Sequence, residues 1–385
     1  MKIVNVRAYP VRNVDRDSSA VTRSPGAPRG LVAEPVSLVL VEVVTDDGVS
    51  GVGTVGGFCG AARDIIDGHL RDVVLGEDPR DVERLWNAMY RASARYGSRG
   101  AAIEAMSGID IALWDILGKS AGLPVYRLLG GRTRERVPVY SSHLRDTLSP
   151  ADLETAAQAD VAAGFKAVKL FLTRGPDHGP AGLRMCVEAT RRVHQAIGDD
   201  IEMMVDAHLR WDVSFTLAYA RGVEDLGIRW IEEPIPHDDR GGYARLTAGL
   251  PVPIAAGEHE YTRFPFAEMI ERRCLGILQP DVNRVGGITE ARRIVALASA
   301  HSLPVCFHQG WLHSYHQITA FPNCPIGEYF PPPAPGRTPA GNALNWLVLS
   351  GEPVARDGAV TVSDAPGFGW EIDREALARY SISVA

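Results

Sequence analysis

The chain has 385 residues, with 40 Lys and Arg against 47 Asp and Glu, a net charge of −7. The two signs are interspersed from end to end, which argues against a nucleic-acid binder, because such proteins gather Lys and Arg into a stripe that displaces counterions. Hydrophobic residues at 45 % and charged residues at 23 % exclude wholesale disorder, and the length allows two or three domains, or one large barrel with an attachment. Cys59, Cys186, Cys274, Cys306 and Cys324 are scattered with no C-x-x-C pair and read as reduced thiols of a cytoplasmic protein. Met1 to Arg7 alternates apolar and polar residues as a first strand does, not as a signal peptide. No apolar run approaches the roughly 18–20 residues of a membrane-spanning helix, so no membrane partner is expected.

Residues 2–9 begin a strands-then-helices region. The pair Val36–Val44 and Val49–Val55 flanks Thr45-Asp46-Asp47-Gly48, a strong hairpin signal. Between the first strands, residues 13–31 are rich in Arg, Asp, Ser, Pro and Gly and read as a mobile substrate loop. Helical periodicity follows over 61–75, 79–95 and 99–121, the last punctuated by Gly122 and Pro124. From Val137 short apolar strands alternate with amphipathic stretches: Val137–Ser142, Lys166–Leu172, Ile201–Ala207, Ile228–Pro234, Pro253–Glu258, Gly276–Val282, Pro304–Gln309 and Ile326–Phe330. Eight such strands suggest a parallel α/β barrel, with an open doubly wound sheet as the alternative. The barrel is favoured because polar residues end almost every strand, whereas an open sheet concentrates them at one switch point. The expected division is a capping domain over 1–130, a barrel over 131–350 and a C-terminal segment, 351–385, packing back on the cap.

Asp206, Glu232 and Glu258 each end a strand, 26 residues apart in both intervals, one barrel unit each. Three adjacent carboxylates repel, by about 4 kcal/mol per pair at 4 Å and an effective dielectric of ~20. A hard divalent ion such as Mg²⁺ resolves that conflict. Asp281 and His308 end neighbouring strands. A carboxylate accepting the imidazole N–H fixes the tautomer and makes His308 a candidate general base. Lys169 offers a positive charge across the barrel mouth, and Glu328 is expected to be a protonated carboxyl that donates a hydrogen bond.

Gly108-Ile109-Asp110-Ile111-Ala112-Leu113-Trp114-Asp115, Leu128-Leu129-Gly130-Gly131, the three-carboxylate ladder, Gln279-Pro280-Asp281 and His308 together resemble the enolase superfamily, mandelate racemase subgroup, across essentially the whole chain. The resemblance implies an N-terminal α+β capping domain over a modified (β/α)₇β TIM-like barrel, and one Mg²⁺ on Asp206, Glu232 and Glu258. It also implies abstraction of a proton α to a carboxylate with stabilisation of the enediolate, and association into a homo-oligomer. Glu233 reads as support for Glu232, or as the ligand itself if the strand register shifts by one.

Racemases of this subgroup often carry two lysines one residue apart on the second barrel strand, but here Lys169 is followed by Phe171. That favours an acid-sugar dehydratase yielding a 2-keto-3-deoxy acid, with epimerisation or lactone cycloisomerisation as the alternative and a non-catalytic binding protein as the remote one. Gly257-Glu258-His259-Glu260-Tyr261 and Ser314-Tyr315-His316 are most similar to rhamnonate dehydratases. His208, two residues past Asp206, is expected on the same strand face; this placement resembles galactonate and mannonate dehydratases, which implies an acid for the departing hydroxyl, with a structural or substrate-orienting role as the alternative. His259 is expected to contact substrate hydroxyls, Arg16, Arg23 and Arg29 to reach the substrate from the loop or stay solvated, and Trp311, His313 and His316 to shape the pocket wall, with His316 equally readable as a satisfied core histidine.

Overall fold

The computed structural model describes residues 1–12, 38–56, 60–332 and 345–382. The 13–31 segment with Arg16, Arg23 and Arg29, and Cys59, lie outside the described residues. Strands β1 (Ile3–Val11), β2 (Leu38–Thr45) and β3 (Ser50–Val55) form an antiparallel sheet in that order. The hairpin between β2 and β3 turns at Gly48, which has φ +86°, with Thr45 Oγ1 donating to Asp47 Oδ1 at 2.6 Å. The sheet buries one face against the helix Ala101–Ala121, itself almost wholly buried. Two glycines allow that approach, since a Cβ at Gly53 would stand 2.0 Å from the Gly108 carbonyl oxygen, and one at Gly108 would stand 2.7 Å from Val41 and Val55. The helical reading over 61–75 resolves into Gly60–Ile65, a π turn at Ile66–Leu70 and Arg71–Val74, and that over 79–95 into Val82–Ser93.

The barrel is built from β4 (Val137–Arg145), β5 (Ala167–Phe171), β6 (Glu202–Asp206), β7 (Ile231–Glu232), β8 (Ile254–Ala256), β9 (Ile277–Leu278) and β10 (Gly327–Tyr329), all parallel, with β10 paired back on β4. The expected strand at Pro304–Gln309 lacks a regular ladder but fills the remaining stave. The Cys306 N–H donates to the Leu278 carbonyl at 2.9 Å on one side, and the Val305 N–H to the Asn323 carbonyl at 2.9 Å on the other. Closure is visible in the packing: Tyr140, Ala167, Met204, Trp230, Ala255, Ile277, Cys306 and Ile326, one from each stave, form a separate apolar cluster. Two residues further along, on the same inward faces, stand Ser142, Lys169, Asp206, Glu232, Gln279, His308 and Glu328. An apolar plug thus floors a polar layer at the C-terminal ends of the strands. At β8 the inward position is Gly257, whose φ of +135° and contact with the Phe266 ring admit no side chain, and the next residue, Glu258, reaches the site instead.

The Gly108–Asp115 motif works between domains. Asp110 accepts both the N–H and the hydroxyl of Thr289, at 2.9 and 2.6 Å, and Trp114 Nε1 donates to the same hydroxyl oxygen at 2.8 Å. Asp115 accepts from Val52 N, Phe368 N and Lys119 Nζ. The segment after residue 350 divides. Ala359–Val360 pairs with the start of β4, while the helix Arg374–Tyr380 lies by β1, with Arg12 N donating to the Tyr380 carbonyl at 2.9 Å and Arg374 paired with Glu42. No helix among the described residues is long and apolar enough to cross a membrane.

Candidate active site

At the barrel mouth the nearest oxygens of Asp206, Glu232 and Glu258 lie within 4.8 Å of one another, and all three residues are buried. Lys169, fully buried, places Nζ 2.6 Å from Glu232 Oε1, 2.8 Å from Glu328 Oε1 and 3.5 Å from Asp206 Oδ2. Burial pushes the carboxyl of Asp206 up to about 6 and that of Glu232 to about 8, although the Lys169 ammonium pulls both down. Glu258 behaves oppositely: burial would raise it, but His308, His259 and Arg284 together hold it below the usual carboxylate range. Three buried oxygen donors converge on one point, with a single ammonium against two of them, and two carboxyls resist ionisation. This donor set fits a hard divalent cation such as Mg²⁺. Glu232 is fixed by Gln279 Nε2 at 2.7 Å and Trp230 Nε1 at 3.0 Å. Glu233, with φ +41°, turns away and accepts Gly257 N–H at 2.8 Å, a supporting role.

On the seventh stave His308 Nδ1 lies 2.8 Å from Asp281 Oδ2, and its Nε2 lies 3.3 Å from Glu258 Oε2. Asp281 accepts the Asn283 N–H at 2.8 Å and faces Arg284 Nε at 3.3 Å. Burial opposes a charge on His308, yet Glu258 and Asp281 outweigh it and raise the imidazole to about 9. A cation on Glu258 would offset part of that pull.

Glu328 departs from the protonated donor expected of it. Burial would raise its pKa, but Lys169 and His308 lower it below the usual value, and it accepts from the Ser142 hydroxyl at 2.6 Å and the Gln309 N–H at 2.7 Å. An ionised carboxylate accepts from both of these donors and pairs with the Lys169 ammonium at 2.8 Å. The strand alternation invoked for His208 also ends too early. β6 stops at Asp206, and His208 and Leu209 take φ of +47° and +61°. The His208 N–H donates to Asp206 Oδ1 at 2.8 Å, and its ring, exposed at the rim, stands 5.8 Å from the His259 ring. His259 Nδ1 lies 3.4 Å from Glu233 and Nε2 lies 3.7 Å from Glu258, and His237 stacks on it with ring centroids 5.8 Å apart. His237 was not legible as a site residue because it follows a proline in a loop. Trp311, His313 and His316 are buried. His316 is a satisfied core histidine, with Nδ1 accepting Tyr126 N–H and Nε2 facing the Phe368 carbonyl, both at 3.1 Å.

Comparison with known proteins bears directly on this geometry. Residues 27–130 match the mandelate racemase / muconate lactonizing enzyme N-terminal domain, and residues 152–376 match the enolase C-terminal domain-like family. A protein of Caldivirga maquilingensis with a provisional L-rhamnonate dehydratase assignment is 36 % identical over 347 residues, 89 % of this chain and 82 % of its own length. The rhamnonate dehydratase of Gibberella zeae, in complex with Mg, superimposes with a TM-score of 0.84 at 34 % identity, covering 99 % of this chain and 96 % of that one. The 3,6-anhydro-D-galactonate cycloisomerase of Zobellia galactanivorans superimposes with a TM-score of 0.86 at 28 % identity, covering 100 % of both chains. Matched through a capping domain and a barrel that carries its acidic triad at the strand ends, the chain belongs to the enolase superfamily, in its mandelate racemase and muconate lactonizing enzyme group.

Proposed function

We propose that this chain is a Mg²⁺-dependent dehydratase of a sugar acid, an aldonate-type substrate losing its β-hydroxyl as water to leave a 2-keto-3-deoxy acid. The observation that carries the reading is the Asp281–His308 pair, 2.8 Å apart, set beside the buried Asp206–Glu232–Glu258 cluster. The likeness to the rhamnonate dehydratase of Gibberella zeae supports the substrate class.

Asp206, Glu232 and Glu258 would hold the ion, which when bound offsets negative charge developing on the substrate carboxylate. His308 takes the α-proton. In the neutral ring, with Nδ1–H tied to Asp281, the lone pair is on Nε2, the nitrogen on the Glu258 side. Lys169, already between Glu232 and Glu328, keeps positive charge on the side of the mouth where the carboxylate sits. Glu328 acts as an ionised partner that orients Lys169. His208, at the rim beside the cluster, gives its proton to the departing hydroxyl. His259 contacts substrate hydroxyls from the same rim.

Cycloisomerisation is the second reading, favoured by the full-length likeness to the Zobellia enzyme. A panel of aldonic and aldaric acids in D₂O, followed by NMR, decides between them. Dehydration yields a ketone and incorporates deuterium, whereas cycloisomerisation of an anhydro or lactone substrate releases no water. Turnover that survives in His308→Asn would overturn both readings.

A further inference from the structure

β4 carries a bulge. Its parallel register with β5 runs Ser141 to Val168, then Leu144 to Leu170 and Arg145 to Phe171, so three residues of β4 span what two cover on β5. The consequence is a change of face. Tyr140 belongs to the apolar floor of the barrel and Ser142 reaches Glu328, so plain alternation would send Arg145 outward. The extra residue reverses that, because bulges re-aim side chains. Register partners on adjacent strands share a face. Phe171 stands two residues after the inward Lys169 and pairs with Asp206, so Arg145, Phe171 and Asp206 form one inward row across three staves. The contact agrees: Arg145 Cζ lies 4.5 Å from the Phe171 ring centroid, and Lys169 Nζ lies 5.0 Å from the same ring.

Phe171 stands where a second lysine would follow Lys169, and two cations, Arg145 and Lys169, lie within 5.0 Å of its ring centroid. Among the described residues the Arg145 guanidinium has this ring as its partner and makes no ion pair. Asp206 attracts it at longer range, but that carboxylate is already engaged by Lys169 and the His208 N–H. This exposed planar fork of N–H donors, stacked on the ring and making no ion pair among the described residues, matches a carboxylate in bidentate geometry. Two strand spacings, roughly 10 Å, separate β4 from β6. An extended six-carbon diacid spans a comparable distance.

We propose that Arg145 is a specificity-determining residue that binds a second carboxylate at the distal end of the substrate, so that the site favours aldarates over aldonates with a methyl or hydroxymethyl end. This rests on the dehydratase reading and narrows its sugar acid to the diacid, in place of the aldonate.

The test compares matched aldonate and aldarate pairs on the Mg²⁺-loaded wild type, Arg145→Met and Arg145→Lys. Losing a charge-assisted bidentate contact should reduce kcat/KM for the diacid by about 10- to 100-fold, mainly through KM, and for the monoacid by under about 3-fold. Arg145→Lys should recover part of the loss. Equal effects on both acids, or none on either, overturn the proposal. Binding is read separately from the rise in unfolding temperature with each acid. The diacid should stabilise wild type more than the monoacid does, with the difference lost in Arg145→Met. If no acid turns over, the dehydratase reading fails, and this differential stabilisation alone still decides the role of Arg145.

Discussion

Thr54 Oγ1, on the last strand of the capping sheet, donates a 2.6 Å hydrogen bond to Asn283 Oδ1 at the rim of the barrel, and both residues are fully buried. Asn283 in turn gives its N–H to Asp281, which holds His308. The cap is therefore bonded to the segment that carries the candidate base. Thr54→Val leaves the Asn283 carbonyl oxygen buried without that donor, a cost of about 1–3 kcal/mol. Urea unfolding should register it, while Thr54→Ser, which keeps the hydroxyl, should stay closer to wild type. An equal loss in both variants would point to the methyl group instead.

His208 and His308 should separate kinetically. His208→Asn is expected to suppress dehydration by about 100-fold or more while α-proton exchange in D₂O persists, because general acid or base contributions are of that order. His308→Asn should abolish both. If His208→Asn loses both activities together, or neither, its role is not that of acid to the leaving hydroxyl.

Metal removal should act on stability as well as on turnover. The triad carboxyls of Asp206 and Glu232 resist ionisation through burial, so a bound divalent cation stabilises the folded chain. At a free concentration ~100 times the dissociation constant that amounts to about 2.7 kcal/mol. Chelation should lower the unfolding temperature and stop α-proton exchange, Mg²⁺ should restore both, and Asp206→Asn should blunt the thermal response to Mg²⁺. A wild type indifferent to chelation would rule out the triad as a metal site.

His316 makes the fold acid-sensitive. Burial lowers its imidazole from 6.5 to about 3, and the neutral ring bridges Tyr126 of the cap and Phe368 of the C-terminal segment. Below pH 6.5 the unfolded chain binds a proton that the folded chain refuses until near pH 3. This contribution is therefore complete above pH 6.5 and is lost as pH falls through that window, with a slope of at most about 1.4 kcal/mol per pH unit. His316→Gln should flatten the dependence of denaturant stability on pH between 7 and 5. His313, in the same helix, Leu312–Ala320, and held down to about 3 by burial, keeps its own share in that variant.

Local pattern was enough for the barrel and its buried acidic triad. Period-two alternation places Asp206 and Glu232 inward, and the 26-residue spacing of strand-end carboxylates adds Glu258, which stands one residue past the inward Gly257, so the three could be read without coordinates. Asp281 and His308 followed from the same logic. Tertiary structure decided what alternation cannot. The bulge in β4 depends on the partner strand, so Arg145 reads as outward in one dimension and turns inward in three. The charge state of Glu328 depends on Lys169, 159 positions earlier in the chain, and Asp110 and Asp115 prove to be clamps between domains because Thr289 and Phe368 are brought to them. The −7 charge behaves likewise: composition argued against a polyanionic partner, but the folded placement of Lys169 and Arg145 among the mouth carboxylates makes room for a small anionic one.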